Sequence, residues 1–284
     1  MHRRIFEEIG INSIIKMCSY QTPKVRENMC NVLINLIQLD QNKVNLIRNG
    51  GIEILKTVAN LLTVNPVGVF PDLENFLARS LAFLCEQPST MPSVLSNFGS
   101  NIFLFLLTRG SETEQYAARG LACLSVNETF RRTLLSENAG PALLECLKNT
   151  GRDVFLKRFV LRALASLSDT ASEFGALVDT HFIETVIDMA LVNDTQMNVH
   201  AAHILASLTS DITQLPRITV HLSKIIEIVN LTQIGFEWEI SLFSIAENPD
   251  SVSPPSHDSH LLSYYFTKII ANILNNSGNT TKSS

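Results

Sequence analysis

The chain has 284 residues, 45% of them apolar and 17% charged, with a net charge of −5 and a mean hydropathy of +0.16. So much apolar side chain excludes a disordered chain and calls for a large core. The acidic balance, with no Lys-rich run or basic tail, argues against a binder of DNA or RNA, whose phosphates need many Lys and Arg.

The first ten residues, MHRRIFEEIG, contain no apolar run of the kind a secretory signal needs. The richest apolar run, Ile102 to Leu107, is far too short to span a bilayer. The chain is expected in the cytoplasm or nucleus, with no membrane insertion. Cys18, Cys30, Cys85, Cys123 and Cys146 form no CxxC pair, and each sits in an apolar helical stretch. They read as buried, reduced thiols.

A repeat organises the whole chain. Short apolar helices begin GINSIIKM at Gly10, GIEILKTV at Gly51, SNIFLFLL at Ser100, GPALLECL at Gly140, HFIETVID at His181 and HLSKIIEI at His221. A seventh start, HLLSYYFTKII, falls at His260. The spacings are 41, 49, 40, 41, 40 and 39 residues, and only the second is irregular. Each unit also carries a longer helix, such as PKVRENMCNVLINLI, LENFLARSLAFLC, TEQYAARGLACLS, FLKRFVLRALASLS, MNVHAAHILASLT and FEWEISLFSIA. Small residues alternate there with Leu and Ile at i, i+3, i+4 and i+7, which makes a helix with one broad apolar face. No segment alternates with period two, so no sheet is expected.

One such unit cannot bury its own apolar face, but a stack of them can. One elongated array over residues 1–275 follows, its first unit partial. An apolar insert at 61–71, LLTVNPVGVFP, is expected to tuck over the array. A Pro/Ser-rich loop at 247–259 with a Ser253-Pro254 dipeptide is expected to be flexible, and the tail 276–284 disordered. Ile5, Ile9, Ile11 and Ile14 leave an apolar edge at the start, which suggests a piece of a longer array or an edge docked on another chain.

The stretch PKVRENMCNVLINLIQLDQNKVNLIRNGGIEIL resembles one armadillo repeat, with its tail helix, Asn-rich turn, short helix and Gly-Gly-Ile junction. The stretch from Ser111 to Leu147, with LSVNETFRRTLLSENAGPALLECL, resembles another. The resemblance covers residues 5 to 275. It implies an all-α fold, a right-handed armadillo-type superhelix of about six repeats, near the related HEAT arrays. It also implies that the third helix of each repeat lines a concave face where partner proteins lie in extended form.

Aligned on their small-residue and Leu pattern, the long helices present two outward columns. The first reads Asn31, Arg79, Arg119, Arg162, His203, Ile240, and the second Asn35, Phe83, Cys123, Ser166, Ser207, Ser244. Residues four apart share a helix face, so the columns should form one ladder. Import adaptors of the armadillo fold carry Trp in the first column and Asn in the second. Here only Asn35 matches, and the sole Trp238 lies two residues before Ile240. Without Trp cages for Lys stems, a receptor for nuclear-localisation signals is excluded.

Helices packed 8–10 Å apart would spread the three arginines over roughly 20 Å. An extended peptide advancing about 3.3–3.6 Å per residue would then meet one rung every third residue. The expected partner is an extended acidic or phosphorylated protein segment, each anion paired with a guanidinium. Phe83 and Cys123 would offer an apolar pocket between rungs. The alternative is that these arginines are solubilising surface residues, paired with Glu74 or Glu114 or bridging repeats.

His200 and His203 suit two metal ligands sterically, yet no third ligand joins them, and His257 and His260 flank a loop. No metal or cofactor is expected. No nucleophile elbow, Walker loop, HExxH or dinucleotide fingerprint is present, so neither an enzyme nor a small-molecule substrate is expected. Glu7, Glu8, Glu237 and Glu239 read as solvated carboxylates. Two other functions stay open: a chaperone-like regulator of a small GTPase or other folded client, and a helical-repeat nucleic-acid enzyme such as a DNA glycosylase, against which the net charge speaks.

Overall fold

The computed structural model describes residues 22–148, 153–170, 174–175, 177–231 and 258–280, and Ser13 alone before them. These residues are helical or in turns, with no strand among them. The chain divides into two compact units, Met1–Ala139 and Gly140–Ser284. The N-terminal isoleucines, Cys18, Trp238, Ile240, Ser244, Ser253-Pro254 and residues 281–284 lie outside the described residues.

The first unit contains helices α1 (Pro23–Leu36), α2 (Asp40–Arg48), α3 (Gly51–Thr63), α4 (Pro71–Cys85), α5 (Met91–Phe98), α6 (Asn101–Leu106), α7 (Ser111–Ser125) and α8 (Glu128–Ser136). The long helices α1, α4 and α7 pack in a row, with α3 and α6 against α4 and α7. Pro23 and Pro71 open their helices, where a missing N–H costs nothing. Between α2 and α3, Gly50 takes φ +82°, which only glycine adopts cheaply, and a Cβ on Gly51 would strike the Leu46 side chain at 2.3 Å. The Gly-Gly-Ile junction therefore has a steric reason. Small residues set the helix spacing as well. Ala78, Ala82, Ala117, Ala118 and Ala122 are wholly buried, and Gly120 makes room for the Phe103 ring.

Equivalent turns are closed by equivalent bonds. Asn42 donates to the Leu36 carbonyl at 2.8 Å, and Thr90 donates to the Leu84 carbonyl. Near the ends of the long helices, Ser125 donates to Ala122 O, Ser168 to Ala165 O and Thr209 to Ala206 O at 2.7–3.0 Å. The repeat seen in the apolar pattern is thus also written in its buried polar groups.

Helix α9 (Ala139–Lys148) begins at the division between the units. The second unit continues with α10 (Val154–Ser168), α11 (Thr180–Ala190), α12 (Thr195–Ser210), α13 (Leu215–Thr219), α14 (Leu222–Leu231) and α15 (Asp258–Thr280). Asp153, Asp179 and Asp194 cap α10, α11 and α12 by accepting backbone N–H bonds at 3.1, 2.7 and 3.1 Å. Here α10, α12 and α15 form the row of long helices. The sequence suggests that His260 opens a seventh unit. Instead α15 packs along α12, with Asn272 donating to Thr209 and Ser210 hydroxyls at 3.1 and 3.2 Å. This helix begins inside the loop expected at 247–259 and runs beyond residue 275 to Thr280.

The insert at 61–71 differs from expectation. Leu61 to Thr63 end α3, while Val64, Val67 and Val69 are 79%, 58% and 48% exposed. The loop does not tuck; its backbone is held instead. Glu74, 2% exposed, pairs with buried Arg109 at 3.3 Å and accepts the Gly68 N–H at 3.1 Å. Arg109 also donates to the Leu62 and Asn65 carbonyls at 3.2 and 3.3 Å and stacks on Phe105 at 3.9 Å.

Removing one member of a buried ion pair strands the other charge in the core. Arg109→Met should destabilise the protein by about 3–5 kcal/mol in urea unfolding. A Glu74→Leu/Arg109→Met double variant should recover most of that loss, because no buried charge remains.

Candidate functional site

On each long helix one stripe escapes burial: Asn31 and Asn35 on α1, Arg79 on α4, Arg119 on α7, Arg162 and Ser166 on α10, and His203 and Ser207 on α12. These eight positions of the two expected columns lie on the less buried side of their helices, while Ile240 and Ser244 lie outside the described residues. Phe83 and Cys123, 7% and 8% exposed, form the floor of that side rather than an open pocket. Arg79 and Arg119 fall in the first unit, and Arg162 and His203 in the second.

In the first unit the side chains interleave. The Arg79 guanidinium lies 5.2 Å from the Tyr116 ring, Tyr116 meets Phe83 edge-on at 6.0 Å, and Arg119 covers Phe83 at 5.3 Å. Arg119 then forms an ion pair with Glu86, whose other oxygen sits 3.6 Å from Lys43 Nζ. Lys43, itself buried, also pairs with Asp40 at 2.9 Å. The Arg119 charge is consequently compensated within the protein. Arg79 has no ion pair among the described residues, and its buried Nε has no hydrogen-bond partner. Glu74 does not explain it, because Glu74 is committed to Arg109.

In the second unit His203 Nε2 lies 2.8 Å from Asp169 and its ring stacks on Tyr265, 4.6 Å away and tilted by 7°. Burial and the nearby Asp169 carboxylate push the Tyr265 hydroxyl well above its ordinary pKa. His203 is thus engaged with these two neighbours and is not a vacant rung. Arg162 is exposed and makes no ion pair among the described residues. It borders a cleft of about 370 Å³ between α10 and α12, lined also by Phe155, Arg158, Phe159, Gln196, Val199 and His200. Arg158 is not open to a partner. Its Nη2 and Nε reach Asp194 at 2.6 and 2.7 Å, and its guanidinium lies 5.2 Å from the Phe155 ring.

A rule joins the two units. Glu86 and Asp169 each stand seven residues, two helical turns, after a basic rung, at the end of their helix. Each takes the basic rung of the next long helix, Arg119 or His203. The residue seven after Asn31 is the neutral Gln38, so Arg79 receives no such carboxylate. This third column was readable in the sequence at i+7 but requires knowing which helix packs next. Lys43, Tyr116 and Tyr265 carry no comparable signal.

Among the described residues, no group of three or more His, Cys, Asp or Glu side chains is placed to hold a metal ion. Cys30, Cys85, Cys123 and Cys146 are buried thiols, and burial raises the Cys85 pKa well above its ordinary value, helped by Cys123 and Glu86. No described helix is long and apolar enough to cross a membrane.

No family model and no curated protein matches the sequence. Solved structures do match. An engineered protein aligns with a TM-score of 0.72 at 20% identity, over 96% of this chain and 70% of that one. A designed armadillo repeat protein in complex with the peptide (KR)4 aligns with a TM-score of 0.64 at 10% identity, over 91% and 97%. A structure described as showing a phosphorylation switch in the interaction between cadherin and beta-catenin aligns with a TM-score of 0.67 at 20% identity, over 95% of this chain and 48% of that one. The chain has an armadillo-like helical repeat fold.

The Asp194 carboxyl feels opposing influences. Burial raises its pKa, but the Arg158 hydrogen bond, the Met197 N–H and the Arg158 charge together hold it below the ordinary value. A depressed carboxyl stabilises the fold above its unfolded pKa, and that stabilisation is lost as pH falls through the folded value. Asp194→Asn should keep the helix cap while flattening the acid limb of a stability-versus-pH curve measured by thermal unfolding.

Proposed function

We propose that the protein is a non-enzymatic scaffold whose long-helix faces hold an extended, acidic or phosphorylated segment of a partner protein in the cytoplasm or nucleus. The observation that carries this reading is the presence of Arg79 and Arg162 on the exposed stripe without a carboxylate partner among the described residues, while neighbouring rungs are compensated from within. A guanidinium presents a planar fork suited to carboxylates and phosphates. Solved proteins of this fold bind a peptide or a protein partner in their described complexes, which supports a binding role. An exposed pair contributes only about 0.2–1 kcal/mol, so apolar contacts beside the arginines must add affinity.

A second reading rests on the insert. Val64, Val67 and Val69 are exposed on a loop whose backbone is pinned by a buried ion pair. A folded client would use such a loop, whereas a peptide lying on the helix face would not.

Binding of a fluorescein-labelled, Glu-rich peptide decides between them. Arg79→Glu/Arg162→Glu should weaken it at least about fivefold, with a shallower salt dependence. Unchanged affinity would remove the peptide reading. Glu86→Gln releases Arg119 from its internal carboxylate, and should strengthen binding about two- to fivefold in the same titration.

A further inference from the structure

The cleft between α10 and α12 combines two chemistries. Phe155, 56% exposed at the start of α10, joins Phe159 and Val199 as an apolar lining. A contiguous exposed apolar surface rimmed by polar residues marks an interaction site, whereas a singly exposed residue does not. At the other end stands Arg162, exposed and with no ion pair among the described residues. The second guanidinium of the cleft, on Arg158, is matched by Asp194 at 2.6 Å. The cleft therefore offers one uncompensated guanidinium beside an aromatic surface.

We infer that this cleft is a two-part subsite for a carboxylate side chain and a large apolar side chain of one extended segment, selecting Glu or Asp over a phosphorylated residue. The inference rests on the proposed peptide-binding role and narrows it. One guanidinium matches the single charge of a carboxylate bidentately. A phosphate carries about −1.5 to −2 at neutral pH and calls for further cations, and Arg158 is already neutralised. Spacing follows from the helix. Phe155 and Arg162 are seven residues apart, about 10.5 Å along the axis at 1.5 Å per residue. A segment that runs along α10, rather than across the row of long helices, covers that distance in about three residues at 3.3–3.6 Å each. The preferred ligand thus carries its aromatic residue about three positions from its acid.

The test uses a nine-residue labelled peptide in a Gly/Ser background, with one Phe and one Glu three residues apart. Its binding to the full chain is followed by fluorescence anisotropy and by the Arg162 Nε–H signal in NMR. Expected are a shift of that signal and a severalfold loss of affinity for Arg162→Gln, for Phe159→Ala, for Gln in place of the peptide's Glu, and for Ala in place of its Phe. Phosphoserine in place of Glu should bind no better to the wild type. It should bind severalfold better to Asp194→Asn, which frees the Arg158 charge while leaving a side chain that caps α12. Tighter binding of the phosphoserine peptide to the wild type, indifference to the peptide's Phe, or no shift at Arg162 would each overturn the inference. If the Glu-rich peptide still depends on Arg79 and Arg162, such a failure leaves the broader role standing. If it does not, both fall.

Discussion

Everything in this protein depends on one requirement: the apolar face of each helical unit must be covered by its neighbour. A single helical unit has too little interior to stand alone. Each unit's long helix supplies the meeting surface, and small side chains make the approach close enough to exclude water. The alanines of α4 and α7 are wholly buried, and Gly120 has no room for a Cβ against Phe103. The buried hydroxyls of Ser125, Ser168 and Thr209 donate back to carbonyls of their own helix, so that burial does not strand them.

Covering one side of the long helices leaves the other side to water, and the same repetition that builds the core arranges this exposed side in columns. Its charges are not equivalent. Carboxylates at the helix ends, Glu86 and Asp169, reach the basic residue of the next helix and tie neighbouring helices together. Where such a carboxylate is missing, at Arg79 and Arg162, the guanidinium makes no ion pair among the described residues. Arg79 and Arg162 differ from Arg119 and His203 in their electrostatic surroundings, not in their place in the repeat. The pattern of compensation separates Arg79 and Arg162, which make no ion pair among the described residues, from Arg119 and His203.

The insert shows a different balance. Its valines face solvent, yet Glu74 and Arg109 are buried beneath it and bond its backbone. A buried ion pair seldom adds much net stability over apolar packing. Here its evident effect is to hold a loop in one shape.

Periodicity alone determined the helical class and the less buried side of each long helix. Those properties follow from local geometry, since residues three and four apart share a face whatever they pack against. The same pattern placed Asn31, Asn35, Arg79, Arg119, Arg162 and His203 each on the less buried side of its own helix. Only the tertiary structure decided which of them are engaged, because Glu86 meets Arg119 and Asp169 meets His203 across more than thirty residues of chain. It also decided that Phe83 and Cys123 are floor rather than pocket, that the insert's valines are exposed, and that α15 packs along α12. None of these is a property of a helix by itself; each is set by what a neighbouring helix brings within a few ångströms.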